Sequence, residues 1–401
     1  MEQQLTESQQ RWYDIAAIHA DDFATRAAQH DQENSFPFEN YEAMKASGYT
    51  SMPIPEEMGG GGASLLDICI AQERLARGDG ATALAANMCL GMPWYMSERW
   101  RIGDESVRPL LEDVAKNRLV CFGAVTDPAV DSYKGVSGQG YTTVTAERTD
   151  GGFRINGRKA FATNSPVGDL IASSAIYNDP VEGEVALLFI IPKETPGMVC
   201  QNDWDTMGMR SSQSHSWVLD NVFVAEDAVI RHKPWEWDEW ARLLYAWHGG
   251  TFASIHLGIA RAARDFAIEY CKTKTRVPFK HPESYYPGHQ FLAAEMDIGL
   301  KAAWTFQVQM ATRLTDPQAR DDQTIVDAIA MQYFCMRTAV DVVDKAFQML
   351  GGAAISKRLP LERYYRDVRA GPIFPISGYD ALEVIGKHAF GIPRDSDPRW
   401  V

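Results

Sequence analysis

Residues Thr142–Ser165, TTVTAERTDGGFRINGRKAFATNS, alternate apolar and polar side chains and are rich in Val, Thr, Phe and Arg. A period of two predicts strands, and Asp150-Gly151 and Asn156-Gly157 are both hairpin-turn signals. DLIASSAIY, VALLFIIP and SHSWVLDNVFVAEDAVI, further along, are predicted strands too. On either side of this region the period becomes helical. TESQQRWYDIAAIHADDFATRAAQ places Trp12, Ile15, Ala16, Ala20 and Phe23 at three- and four-residue spacing, with Thr6 positioned to cap the first turn. SLLDICIAQERLARGDGATALAANMCLGMPWYMSERW reads as two more helices broken at Gly78 and Gly80. Helical periodicity returns after Trp235 in three long amphipathic segments. The last two are joined by the short turn TDPQARDD, which predicts antiparallel neighbours.

Helices, then strands, then a helical bundle is an α+β order and not an alternating βαβ one. The chain of 401 residues exceeds what one core normally serves. Three domains are expected: an N-terminal helical domain over 1–120, a middle β domain over 121–230 and a C-terminal helical bundle over 231–401. The net charge of −14 disfavours nucleic acid and anionic membranes as partners, because phosphate repels carboxylate. It leaves room for an anionic cofactor on a local basic patch. Six cysteines are scattered without a CxxC pair, so the spacing predicts neither a metal site nor a disulfide framework. No signal-peptide pattern opens the sequence and no apolar run reaches membrane-span length, which predicts a cytoplasmic protein with reduced thiols. The run Gly59–Gly62 lacks the lysine of a phosphate loop and is expected to be a flexible surface turn, and no Rossmann fingerprint is present.

Five stretches, in order along nearly the whole chain, resemble the acyl-CoA dehydrogenase superfamily of flavoproteins. They are PIPEEMGGGGASLLD, GAVTDPAVDS (Gly123–Ser132), DGGFRINGRKAFATNS, MGMRSSQSHSWVLDNVFV and QMLGGAAISKRLPLERYYRDVR. The resemblance implies an N-terminal α-helical domain, a middle β-barrel-like domain and a C-terminal four-helix bundle. It also implies FAD, held without a Rossmann loop between the β domain and the bundle. Val125, Thr126 and Ser132 then lie along the flavin edge, Thr163 donates toward flavin N5, and Phe161 takes the place of the family's tryptophan against the ring. Gln348, Gly351 and Gly352 match the segment that packs on the ADP part of a neighbouring subunit's FAD. Arg276, with Phe279, resembles the arginine that meets the pyrophosphate, Lys274 being an alternative. Cofactor shared across subunits implies a homotetramer, a dimer of dimers.

The family's usual catalytic glutamate has no counterpart here. Counting on from Asp367 through RAGPIFPIS reaches Pro375, which offers no base. Some members carry the base on the first helix of the bundle, and that position falls near His248, a histidine able to act near neutral pH or simply to pack among aromatics. The family's following arginine is Gly249 here. Other members are flavin-dependent monooxygenases that need no α-proton base, and RSSQSHSW resembles that branch. Three functions stand open: a flavin monooxygenase acting on a small organic or thioester substrate, an atypical acyl-CoA dehydrogenase with His248 as base, and a base-less subunit of a heteromeric dehydrogenase. A flavin reductase or electron-transfer protein is the expected partner. Trp247, Tyr245, Phe374 and Tyr379 are candidate pocket aromatics.

Overall fold

The computed structural model describes residues 5–130, 141–233, 239–374, 376, 378–394, 396 and 399. Ser132 and Pro375 lie outside the described residues. Six helices come first: α1 (Glu7–Phe23), α2 (Ala27–Glu33), α3 (Phe38–Ser47), α4 (Leu65–Ala76), α5 (Gly80–Arg101) and α6 (Arg108–Asn117). The start of α1 is fixed by a reciprocal cap. The Thr6 hydroxyl accepts from the Gln9 amide and the Gln9 side chain accepts from Thr6 N–H, which satisfies two otherwise orphaned donors. Ser64 and Asp67 do the same for α4, and Asp79 caps α5. Gly59–Gly62 is not the flexible turn expected. A Cβ on Gly60 would meet Ile54 O at 2.2 Å, and one on Gly61 would meet the Trp12 ring at 2.4 Å. The run is glycine-rich because two segments pack closely there.

Among the described residues, eight strands follow between Cys121 and His232: β1 (Cys121–Ala124), β2 (Thr145–Thr149), β3 (Gly152–Ala162), β4 (Leu170–Asp179), β5 (Gly183–Pro192), β6 (Met198–Cys200), β7 (His215–Ala225) and β8 (Val229–His232). They form one mixed sheet in the order β6-β7-β3-β2-β4-β5-β8, with β1 parallel to β4. Asp150-Gly151 is the two-residue turn between β2 and β3, as the sequence predicts. Asn156-Gly157 is not a turn. It lies inside β3, where the pairing with β7 shifts register between Ile155 and Gly157.

The remaining helices are α7 (Glu239–Thr273), α8 (Pro287–Thr315), α9 (Asp322–Leu350), α10 (Leu361–Val368) and α11 (Gly378–Ala389). Helix α9 packs against α7, α8, α10 and α11, so it forms the axis of the bundle. The N-terminal and C-terminal helices share a single hydrophobic core, from Trp12 through Trp94 and Ile255 to Val343. The sheet has a separate one around Phe122, Phe153, Leu187 and Trp217. Among the described residues no helix is long and apolar enough to cross a membrane.

Candidate functional site

At one end of the sheet, backbone and hydroxyl groups are held by buried polar side chains. Ala160 N–H donates to Thr126 O at 2.8 Å and bridges the segment after β1 to β3. Asp127 is buried and accepts from the amides of Ala129 and Thr143 and from the hydroxyls of Thr142 and Thr143, at 2.6–2.8 Å. Lys159 is wholly buried, and its Nζ donates to Val125 O, Thr142 Oγ1 and Ser174 Oγ. Burial pushes this ammonium down to about 7, against the pull of Asp127. Val125 and Thr126 are therefore rigidly placed. Thr163 is buried, its hydroxyl 2.8 Å from Ser214 Oγ, which is 2.8 Å from Ser212 Oγ. Asn164 ties this corner to the helices, donating to Ala85 O at 2.8 Å and accepting from the Tyr41 hydroxyl.

Phe161 lies beside these groups and behaves differently. It is 58% exposed and sits at φ 56°. A bulky side chain at positive φ is strained, and an exposed one gains little from its own chain in return. Trp204 stands edge-on at 6.0 Å. An apolar ring held outward beside the Val125 and Thr126 backbone and the Thr163 hydroxyl fits a flat, polar-edged heteroaromatic group: one surface to stack on and donors and acceptors along a rim.

The second cluster lies on α7. His248 is half-buried with its ring edge-on to Phe252 at 5.1 Å. Phe252 packs on Phe374 at 5.0 Å, and Phe374 on His256 at 5.8 Å. The chain can close here because residue 371 is glycine; a Cβ would sit 2.6 Å from the His256 ring. Desolvation pushes both His248 and His256 down to about 4, so both are neutral near pH 7. His256 Nδ1 contacts Phe252 O at 2.9 Å, while its Nε2 is buried without a partner. Trp247 and Tyr245 are not pocket aromatics: both are core, Trp247 against Trp94 and Tyr95. Tyr379 is 90% exposed, and Phe374 alone of the four joins the cluster.

The third cluster is a groove of about 620 Å³ at the far end of α7. Arg276, Phe279 and Lys280 line it from the α7–α8 connection, and Gln348 and Gly351 from the end of α9. Residues more than 70 positions apart thus converge. Gly351 has φ 58° and ψ −137°, a conformation essentially restricted to glycine. Gly352 has no such constraint, and no atom of its own chain would meet a Cβ there. Arg276 is exposed and pairs with Glu283.

The sequence points to Val125, Thr126, Ser132, Phe161, Thr163, His248, Arg276, Gln348, Gly351 and Gly352, of which Ser132 lies outside the described residues. Sequence reasoning missed Lys159, Asp127, Ser214 and His256. Lys159 had a signal, because strand alternation puts it on the same face as Phe153 and Ile155. The others depend on contacts between distant segments.

Sequence models of the acyl-CoA dehydrogenase N-terminal, middle and C-terminal domains match residues 6–106, 124–222 and 250–376. The chain is 32% identical to a putative acyl-CoA dehydrogenase, YdbM, of Bacillus subtilis, over 91% of this chain and 93% of that one. It is 30% identical to the amino sugar nitrososynthase DnmZ of Streptomyces peucetius, over 96% and 94%. Among solved structures, KijD3 in complex with FMN and a dTDP-linked amino keto sugar superposes with a TM-score of 0.85 at 25% identity, covering 99% of this chain and 97% of that one.

Proposed function

The chain belongs to the acyl-CoA dehydrogenase family of flavin-dependent oxidoreductases, and we propose that within it this protein is an oxygen-using enzyme, a flavin monooxygenase. One observation carries the reading. The wall formed by α7 and Gly371–Phe374 consists of aromatic rings and two histidines that burial keeps neutral. The rings that meet there, His248, Phe252, His256 and Phe374, include no carboxylate, the group most of the family uses to take an α proton. Counting on from Asp367, the family resemblance puts Pro375 where the glutamate would stand, and proline offers no base. The similarity to an amino sugar nitrososynthase supports the same direction.

The donor set fits a flavin. Thr163 would meet the ring at N5, the Val125 and Thr126 backbone would lie along its edge, and Phe161 would stack on its face. Bound flavin supplies the redox and oxygen chemistry that no side chain offers. What the chain contributes is position and dryness. Lys159 and Asp127 fix the Val125–Asp127 backbone, and Ser214 fixes the Thr163 hydroxyl. The Phe252–Phe374 wall excludes water, which strengthens every polar contact within.

The groove supports FAD over FMN. It retains Arg276, Gln348 and Gly351, yet it lies about 37 Å of helix from His248. A groove so placed serves a neighbouring subunit's cofactor, in a homotetramer. The second reading, an atypical acyl-CoA dehydrogenase, rests on the similarity to YdbM. Stopped-flow spectroscopy on the holoenzyme separates the two. Straight-chain acyl-CoAs should leave the oxidised flavin unbleached, and the reduced protein should react with O₂ and oxygenate an added substrate. Rapid bleaching by acyl-CoA would overturn the monooxygenase reading.

A further inference from the structure

The connection between α7 and α8 gathers three metal-ligating side chains that sequence spacing hides. Cys271 is near the end of α7, Glu283 begins the turn Glu283–Tyr285, and His289 is in the first turn of α8. One ligand atom from each lies within 4.8 Å of the other two. Cys271 Sγ and His289 Nδ1 are 3.7 Å apart. Zinc bonds of about 2.3 Å to sulfur and about 2.0–2.1 Å to nitrogen, at a tetrahedral angle, put those two atoms about 3.6 Å apart. The pair is therefore already at coordination spacing. Tyr286 stands edge-on to the His289 ring at 5.1 Å and holds its orientation.

Glu283 supplies an independent observation. Arg276 engages Oε1, but Oε2 is buried without a partner. A buried carboxylate oxygen left unpaired is costly, and a cation satisfies it. His289 Nδ1 also lies 3.2 Å from Glu283 O, so coordination takes the tautomer protonated at Nε2; these contacts account for Cys271 and His289 and leave Oε2 as it is. Glu283 and His289 both line the groove, so an ion has a path in.

We propose that Cys271, Glu283 and His289 form a binding site for a zinc-class divalent cation, with its fourth position open to the groove. Sulfur with imidazole and one carboxylate selects such an ion over calcium or magnesium, which prefer all-oxygen shells. On binding, a metal–sulfur bond replaces S–H and the proton leaves to solvent. Thiolate and carboxylate then neutralise the dication, and Arg276 leaves the site net positive toward the groove. Water or a phosphate oxygen completes the coordination. The ion would staple the end of α7 to the start of α8 and fix the loop that carries Arg276, Phe279 and Lys280. None of this depends on the flavin reading.

The test uses the full-length protein, stripped with a chelator, dialysed and titrated with Zn²⁺ or Co²⁺. Calorimetry should give one ion per chain, and Co²⁺ should show a thiolate-to-metal charge-transfer band. Cys271→Ser should abolish the band, and His289→Gln should weaken affinity by at least about tenfold, a lower bound set by the loss of an outer-shell partner. Circular dichroism checks that the variants fold; if Cys271→Ser does not, His289→Gln, nearer the surface, carries the test. Substoichiometric binding, or the same affinity in wild type and His289→Gln, would overturn the proposal.

Discussion

The two ends of α7 are opposites. Toward its start, His248, Phe252 and His256 meet Phe374 in a packed set of rings, and both imidazoles are neutral. Beyond its far end, Arg276, Lys280 and Glu283 border an open groove. Burial decides the difference. In the first place a charge would be desolvated without a partner, so charge is absent; in the second, solvent and an ion pair sustain it. The contrast teaches where each kind of task belongs. Chemistry that water would spoil suits the dry end, and recognition of an anionic cofactor suits the wet one.

The largest effect that can break this contrast is acid sensitivity. His256 titrates near 6.5 when unfolded and near 4 when folded. Below 6.5 the unfolded chain takes up a proton that the folded chain refuses, so stability falls as pH drops from 6.5 to 4. A shift of that size amounts to about 3 kcal/mol. His256→Asn keeps a donor for Phe252 O and should flatten this part of the profile in urea melts. An unchanged pH slope would show that the cluster is wetter than described.

Next in size is the wet end. Arg276 is exposed, so Arg276→Gln should fold normally while losing about 2 kcal/mol of FAD affinity, roughly thirtyfold, as expected for a charge-assisted hydrogen bond. Titrating apoprotein with FAD and with FMN sharpens the point, since FMN cannot reach the groove and should show no difference. Equal losses for both flavins would remove the groove from cofactor binding.

Thr163→Val should cost less, about 1 kcal/mol, by leaving Ser214 with one hydrogen bond fewer. It should also move the visible flavin spectrum while the fold persists. An unaltered spectrum would place Thr163 away from the ring. The smallest effect concerns His248. His248→Ala should change turnover by less than about tenfold, well short of the ~10²–10⁴ lost with a general base. A larger loss, confined to reaction with thioesters, would make His248 a base after all.

Much of the fold was legible because its signals are local. The Thr6 cap, the breaks at Gly78 and Gly80, the Asp150-Gly151 turn and the long bundle helices all depend on nearby residues. Where non-local packing decides, local reading fails. Asn156-Gly157 carries the same turn signal as Asp150-Gly151, yet pairing with β7 keeps it inside a strand as an irregularity. Gly59–Gly62 reads as loose and is pressed against Ile54 and Trp12. Aromatic periodicity could not tell Trp247, which faces the core, from Phe252, which faces Phe374. Only family motifs named both Arg276 and Gln348, and nothing in physical spacing links the two, so the groove they line had no local signal. Cys271 reads as one of six scattered cysteines, and nothing local singles out Glu283 or His289; helix ends bring the three together.

The length of α7 has a consequence for genetics. If ring and groove of one catalytic unit come from different subunits, damage to each is separable. A subunit altered at Thr163 and one altered at Arg276 would each be defective as pure tetramers. Co-expressed, they would form mixed assemblies in which some units pair an intact ring site with an intact groove. Two alleles that fail alone would then restore part of the activity together, whereas two alleles both altered at Arg276 would not.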